Sequence, residues 1–179
     1  MNLLRISVAL IVTTTALLFG GCATASKPTA MVATMKTAVV KHPQSVSVTV
    51  TGGSDTSSLG ASKIANADFA EAIKTSITQS GLFANIGAET AADYALGVQI
   101  VRLDQPMFGA SLTVTMECTW RLSRRSDGQV VWEKAITTPF TATMGDAFSA
   151  VTRLRLANEG AARANIEDAL SQISALKLP

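Results

Sequence analysis

Few side chains in this sequence could act as catalysts. His42 is the single histidine, and Pro43 follows it directly. A serine hydrolase needs a histidine base that a carboxylate holds in place, and a structural zinc site needs several cysteine or histidine ligands. The serines between Ser54 and Ser58 are the candidate nucleophiles, and they would have to lie beside His42. The sequence therefore predicts no catalytic residue, no metal site and no cofactor, and it indicates a protein that is not an enzyme.

The acidic side chains do not change this prediction. Four carboxylates lie on or beside predicted strands, and no spacing between them forces a general acid and a general base together: Asp104, Glu117, Asp127 and Glu133. The whole chain has 15 basic and 13 acidic residues, a net charge of +2. So small an imbalance gives no electrostatic reason to expect a nucleic-acid partner.

Tandem glycines after a strand can let a phosphate group approach the backbone closely. Gly52 and Gly53 follow the strand predicted at 45–51, but no Gly-Lys-Ser/Thr sequence follows them. We therefore interpret 52–60 as a polar connection.

The two cysteines are predicted to have different roles. Cys118 lies in a run from Ser111 to Ser123 in which apolar and polar residues alternate, the pattern of a strand with one buried face. A thiol there is a small apolar core residue, because a nucleophilic cysteine needs a basic neighbour and solvent access. Cys22 instead ends an apolar run directly after two glycines. It is the only cysteine predicted to act outside the core.

Residues 1–21 have the layout of a secretory signal peptide. Arg5 supplies a basic start, the segment from Ile6 to Phe19 is almost wholly apolar, and small residues follow. The alternative is a transmembrane anchor. A spanning helix needs about 20 predominantly apolar residues, however, and the strongly apolar part ends at Phe19.

The segment from Leu18 to Cys22 resembles the lipobox of bacterial lipoproteins, in which small residues precede a cysteine that is acylated and becomes the first mature residue. Phe19 departs from the aliphatic residue usual in that family. The resemblance implies lipidation of Cys22 and attachment to the membrane through it. Ala23 after the cysteine, rather than Asp, implies the outer membrane, with the chain facing the periplasm. The alternative is that Cys22 is an ordinary residue after a conventional cleavage site.

The remaining chain is long enough for one domain. Residues 22–44 are predicted as the acylated N-terminus and a flexible tether, of which Met31 and its neighbours could dock on the domain, and residues 45–179 as a single α/β domain. The alternation from Ser45 to Thr51 predicts a strand. An apolar residue every fourth position predicts a helix that Asn66 caps and Gly81 ends.

Two further strands, in addition to those predicted at 45–51 and 111–123, and a long helix complete the predicted order. A left-handed Gly128 in a three-residue hairpin loop sets Leu122 opposite Trp132 and Cys118 opposite Ile136, which keeps apolar residues together. Asp146 is predicted to cap the last helix. The small residues 160–162 of that helix allow close approach, either by the sheet or by a second copy of the protein.

The order β-α-β-β-β-α favours an α/β two-layer sandwich, with a four-stranded mixed sheet and two helices on one face. With the tether and the acylated cysteine, this order resembles a loose group of small envelope lipoproteins. The group includes auxiliary lipoproteins of ABC-type envelope transport, the lipopolysaccharide-assembly lipoprotein and the domain of curli-secretion lipoproteins. The resemblance covers about residues 45–178, rests on no diagnostic motif and assigns no site residues.

One loop is a candidate contact site. Met107 and Phe108 lie in the turn 104–110, and if both are exposed they would contact a partner. The alternative is that they tuck under the edge of the sheet.

Three functions remain open. The leading hypothesis is a non-enzymatic, membrane-anchored lipoprotein that acts as an accessory binding component in envelope transport or assembly, with an envelope protein or a second copy of itself as partner. The second is a carrier of a lipid or other apolar ligand between sheet and helices. The weakest is an envelope hydrolase, which requires His42 to lie beside the loop containing Ser54 and Ser58.

Overall fold

A mixed sheet carries helices on one of its faces. The computed structural model describes residues 23–35, 40–57 and 60–178, so the predicted signal peptide and Cys22 lie outside the described residues. In chain order the elements are α1 (Pro28–Met31), β1 (His42–Thr51), α2 (Asn66–Ser80), β2 (Phe83–Ile86), β3 (Tyr94–Asp104), β4 (Leu112–Arg124), β5 (Val130–Ala142) and α3 (Ala150–Ser174).

The predicted α/β class is confirmed, with one strand more than the four predicted. The strands lie in the order β2-β1-β3-β4-β5; β1 is parallel to β2 and β3, and the β3-β4-β5 meander is antiparallel. The additional strand, β2, is a four-residue edge strand that begins just after α2, where His42 N–H donates to the Leu82 carbonyl at 2.7 Å. Four residues are too few to show an alternating pattern.

Trp120 on β4 shows that α2 and α3 share one face of the sheet. Its ring meets the Phe69 ring of α2 edge-on at a centroid distance of 6.2 Å, and its indole N–H donates to Asn165 Oδ1 of α3 at 2.8 Å. Trp120, Phe69 and Asn165 are all fully buried. The opposite face of the sheet carries polar side chains such as Thr119 and Arg121, so it needs no second layer.

The alternation predicted for β4 is confirmed at every apolar position. The buried side consists of Leu112, Val114, Met116, Cys118, Trp120 and Leu122. The predicted hairpin register is also confirmed, since Leu122 pairs with Trp132 and Cys118 with Ile136. Gly128 is left-handed with φ +72°. The predicted three-residue loop is wrong. Arg124 N–H donates to the Gln129 carbonyl at 2.8 Å, which leaves four residues, 125–128, in the loop, and a bulge between Leu122 and Ser123 brings the strands into the predicted register.

The helix boundaries correct two predicted caps. Gly81 ends α2 in the left-handed conformation, as predicted, with φ +63°. Asn66 does not cap α2: it is the first helical residue, and its side chain accepts from Gly53 N–H at 2.7 Å. Asp146 does not cap α3, which begins at Ala150. Its carboxylate accepts instead from the N–H and hydroxyl of Thr143, at 2.7 and 2.8 Å, and closes the preceding loop.

Part of the predicted tether packs on the helices. Met31 is fully buried, as the sequence allowed. Arg163 of α3 donates to the Ala30 carbonyl at 2.8 Å, and Ala33 N–H donates to Ser76 Oγ of α2 at 2.9 Å. The boundaries at residues 22 and 45 stay predictions.

Candidate functional site

His42 and the serine-containing loop lie at opposite ends of β1. His42 begins the strand and is 4% exposed, and its Nε2–H donates to the Ile173 carbonyl at 3.1 Å. The loop begins after Thr51, at the other end of a ten-residue strand, which spans about 30 Å. The hydrolase hypothesis required these groups to meet. The described serines of the loop, Ser54 and Ser57, lie at the other end of β1 from His42, and Ser58 lies outside the described residues. Among the described residues no three cysteine, histidine or carboxylate side chains are grouped to hold a metal ion.

The tandem glycines serve the protein's own backbone. A Cβ at Gly53 would lie 2.6 Å from the Ile64 carbonyl oxygen and 2.8 Å from Asn66 Oδ1. Gly53 N–H already donates to Asn66 Oδ1 at 2.7 Å, so it is not free to bind a phosphate. The interpretation of 52–60 as a connection therefore fits the structure.

Fully buried side chains fill the layer between sheet and helices, where the carrier hypothesis would place its ligand. Gly160 of α3 faces the Phe140 ring of β5 so closely that a Cβ at position 160 would overlap it. Ala161 and Ala162 are fully buried beside it. The small residues of α3 therefore allow the close approach of the sheet. Of the two alternatives that the sequence left open, the sheet or a second copy of the protein, the structure shows the sheet in this position. Such packing leaves no space for an apolar ligand along this part of the helix.

The exposed face of the sheet carries a shallow polar hollow. It is lined by Thr49, Thr51, Gln99, Thr119, Arg121 and Glu133, among others, and its volume is about 390 Å³. Arg121 and Glu133 form an ion pair with each other at 3.2 Å. Because these two charged groups pair with each other, neither is directed into the hollow as an acid or a base, and the hollow does not resemble a catalytic site.

The strongest candidate site is apolar. Met107 is 88% exposed and Phe108 is 84% exposed, so the loop presents these side chains to solvent and does not tuck them under the sheet. A second loop beside it exposes Phe148 by 87% and Met144 by 50%. We call residues 105–111 and 143–149 the tip loops. They are neighbours because Leu112, which follows the first loop, pairs with Ala142, which precedes the second.

Arg153, in the first turns of α3, joins the two tip loops. Its side chain is almost fully buried, and it donates to the carbonyls of Ala147 at 3.0 Å, Phe148 at 2.7 Å and Gly109 at 3.1 Å. A guanidinium can make several such bonds at once because its N–H groups form a rigid planar fork. The loops that carry the exposed apolar side chains are therefore held together by hydrogen bonds to one guanidinium group. None of Arg153, Met144 and Phe148 was predicted from the sequence. A residue that binds backbone carbonyls, as Arg153 does, leaves no motif.

The tip loops contain one charged residue, Asp146. The hydrogen bonds from the N–H and hydroxyl of Thr143 lower the pKa of Asp146, so the carboxylate is ionised and bound within its own loop at neutral pH. Gln105 fixes the base of the first loop, where its side-chain amide donates to the Ser62 carbonyl at 2.7 Å and to Asn158 Oδ1 at 2.8 Å.

The described chain also begins at this end of the domain. Ser26 N–H donates to the Lys63 carbonyl at 3.3 Å, and the Lys63 ammonium donates to Gln105 Oε1 at 3.4 Å. Ser26 is thus linked to the first tip loop through a single residue. Cys22, the predicted site of lipidation, precedes Ser26 by four positions. Among the helices in the described residues, none combines the length and hydropathy that a membrane crossing requires.

No protein-family model and no curated protein matches this sequence. Solved structures do share its fold. A DUF330-family protein from Xanthomonas campestris, XCC0632, gives a TM-score of 0.65 at 17% identity, covering 85% of this chain and 95% of its own. A Caulobacter crescentus CB15 protein, provisionally described as a lipoprotein, gives 0.50 at 15% identity, covering 72% and 87%. Protein CT253 from Chlamydia trachomatis gives 0.53 at 10% identity, covering 75% and 100%. At these identities the similarity establishes a shared fold.

Proposed function

We propose that the protein is a non-enzymatic lipoprotein that binds another component of the bacterial cell envelope, as an accessory in envelope transport or assembly. In this proposal Cys22 carries the lipid, the lipid anchors the chain in the outer membrane, and the domain faces the periplasm. The observation that carries the binding role is the pair of tip loops, on which Met107, Phe108 and Phe148 are exposed and Arg153 fixes the loops together.

The exposure of these side chains is the reason to propose binding. Contiguous apolar surface on a soluble domain marks a contact site more often than isolated apolar residues do. Burying one phenylalanine or methionine side chain contributes about 1.5–3 kcal/mol. Met107 and Phe108, the contact residues predicted from the sequence, would act together with Phe148. Such a contact is modest alone, but an anchor strengthens it by holding the domain close to its target.

The anchoring role rests on the lipobox resemblance at Cys22. Each buried methylene of an acyl chain contributes about 0.8 kcal/mol, so several chains on one residue hold a domain firmly at a membrane. The shared fold with a protein provisionally described as a lipoprotein supports the same assignment. A transport or assembly accessory is the finer part of the proposal, and it follows the architectural resemblance to envelope lipoproteins.

In vivo photo-crosslinking tests the binding role. A photoreactive amino acid would replace Phe108 in the full-length protein, produced in bacterial cells, and in a control it would replace Ser126, an exposed residue of the hairpin at the opposite end of the sheet. We expect protein or lipid adducts from position 108 and few from position 126. Equal adduct yields from the two positions, in protein that remains membrane-bound, would contradict a binding role for the tip loops.

A further inference from the structure

We propose that the component contacted by the tip loops is the membrane itself, so that Met107, Phe108 and Phe148 insert into the boundary between lipid headgroups and acyl chains. This inference rests on the proposed anchoring at Cys22. It assigns the domain a defined orientation, with the tip loops toward the bilayer and the β4–β5 hairpin away from it.

The position of the anchor favours this orientation. Ser26 is linked to the first tip loop through Lys63, which bonds both Ser26 and Gln105. Four residues of fully extended chain reach at most about 14 Å, so an acylated Cys22 must lie within that distance of Ser26. The 13 residues of β4 separate the tip loops from the hairpin, a distance of about 40 Å. The lipid on Cys22 would therefore attach the domain to the bilayer by its tip-loop end, and not by its hairpin end.

Three backbone carbonyls of the tip loops already have hydrogen-bond donors within the protein. Carbonyl groups that lose water without gaining another donor are costly near lipid. Arg153 satisfies three such groups, the carbonyls of Gly109, Ala147 and Phe148. Inserting the neighbouring apolar side chains therefore requires less desolvation of unpaired backbone groups than an unbraced loop would.

The chemistry of the tip loops suits lipid better than a protein partner. Stable protein interfaces bury about 800 Å² on each side, whereas the exposed apolar surface here consists of a few side chains on two loops. Aromatic and other large apolar side chains of this kind are typical of membrane interfaces. The loops lack lysine and arginine, and their one charge, the exposed carboxylate of Asp146, is an anion that an anionic lipid surface does not attract. Insertion should therefore depend little on salt concentration.

Site-specific fluorescence in vesicles tests the proposal. Acylated protein purified from bacterial membranes would be reconstituted into vesicles of phosphatidylethanolamine and phosphatidylglycerol, with an environment-sensitive fluorophore on Ala110→Cys or, as a control, on Ser126→Cys. Both positions are exposed. Cys118 is fully buried and would escape labelling in the native protein.

We expect the fluorophore at position 110 to show blue-shifted emission that nitroxide-labelled lipids quench. The quenching should not fall between 150 mM and 500 mM salt, over which the Debye length shortens from about 8 Å to about 4 Å. The fluorophore at position 126 should behave as in water. The double variant F108S/F148S should abolish the quenching at position 110. The matched double variant V101S/V130S removes exposed apolar residues outside the tip loops and should preserve it.

Two outcomes would overturn the inference while leaving the proposed function in place. One is anchored protein in which position 110 is as accessible to water as position 126. The other is protection of position 110 that lipid quenchers do not affect and that varies with protein concentration, which would indicate a second copy as the occupant. Protein that carries no acyl chain and leaves the membrane on washing would instead contradict the anchoring, and with it both proposals.

Discussion

The buried guanidinium of Arg153 organises a surface through its bonds to backbone carbonyl groups. Its two terminal nitrogens donate to three backbone carbonyls, from both tip loops, while its buried Nε–H has no hydrogen-bond partner among the described residues. Hydrogen bonds to a charged group contribute about 1.5–3 kcal/mol in folded proteins. Arg153 therefore determines both local stability and the relative position of the exposed apolar side chains.

The variant R153M keeps most of the aliphatic stem and removes the donors. We expect it to lower the free energy of unfolding by about 2–3 kcal/mol, because three carbonyls lose their hydrogen bonds to a charged donor. We also expect faster proteolysis within residues 105–111, measured alongside urea unfolding. The control R121M removes an exposed ion pair with Glu133 and should cost less than about 1 kcal/mol. Equal losses in the two variants would count against the bracing role.

Cys118 is the second residue with a clear expectation. Burial raises the pKa of its thiol to about 12, and the neighbouring Glu117 carboxylate adds to the shift. Because a raised pKa favours the protonated form, the thiol of the folded protein should stay unreactive at neutral and mildly alkaline pH. The linked stability is complete below the ordinary thiol pKa and is lost as pH rises toward about 12.

We expect a thiol reagent at pH 8 to modify Cys118 only on the timescale of unfolding, and rapidly in urea. The rate of modification, followed by mass spectrometry in native and denatured protein, measures this directly. Fast labelling of the native protein at that pH would show that the thiol is accessible.

At the scale of elements, the contact between α3 and β5 depends on Gly160. Alanine is normally a better helix residue than glycine by about 1 kcal/mol. At Gly160, however, a Cβ would overlap the Phe140 ring. The packing of the helix against the sheet should therefore outweigh helix propensity here.

The variant G160A should lower the free energy of unfolding by about 1–3 kcal/mol, the usual cost of overpacking. Denaturant unfolding measures the change. A second substitution, F140L, removes the ring that a Cβ would strike, so the double variant should lose less stability than the sum of the two single variants. If the losses of the two single variants simply add in the double variant, the destabilisation by G160A does not come from overlap with the Phe140 ring.

For the whole molecule, the proposed function separates the membrane anchor from the folding of the domain. Cys22 lies outside the described residues, and the domain core contains its own complete set of buried side chains, from Met31 to Ile173. Loss of the lipid should therefore change the location of the protein without affecting the packing of its core.

The variant C22S should lose metabolic labelling by a fatty acid and leave the membrane fraction or be mistargeted, with the unfolding midpoint of the domain unchanged. Fractionation, lipid labelling and thermal unfolding of the same preparation test this. The control C118A should keep the label. Retained labelling of C22S would refute the assignment of Cys22 as the lipidated residue.

Patterns with a short repeat predicted the parts of the fold that local sequence determines. Alternation placed β4 and its buried face, and matching the apolar residues of β4 and β5 predicted their register up to Leu122 and Trp132. Gly81 ended α2 because only glycine adopts that backbone conformation without strain. The order of these elements was sufficient to predict an α/β sandwich with both helices on one face.

Other features depended on contacts between distant segments. The edge strand β2 exists because β1 offers it a partner, and its four residues are too few to show a pattern. Asn66 and Asp146 have the side chains of helix caps, but each found a different backbone donor nearby. A capping signal shows that a side chain can accept a hydrogen bond, and the folded chain decides which N–H supplies it.

Some features of the candidate site could likewise be predicted from the sequence, and others depended on the tertiary structure. The sequence by itself determined that the catalytic residue types are sparse, that Cys118 belongs to the core, and that Met107 and Phe108 lie in a loop, because composition and periodicity are local properties. Only the tertiary structure decided that both side chains are exposed, that the loop carrying the exposed Phe148 lies beside theirs and that Arg153 binds the two loops together. The physical reason is that Arg153 recognises backbone carbonyls, which every residue has, and their positions exist only after the sheet has brought the loops together.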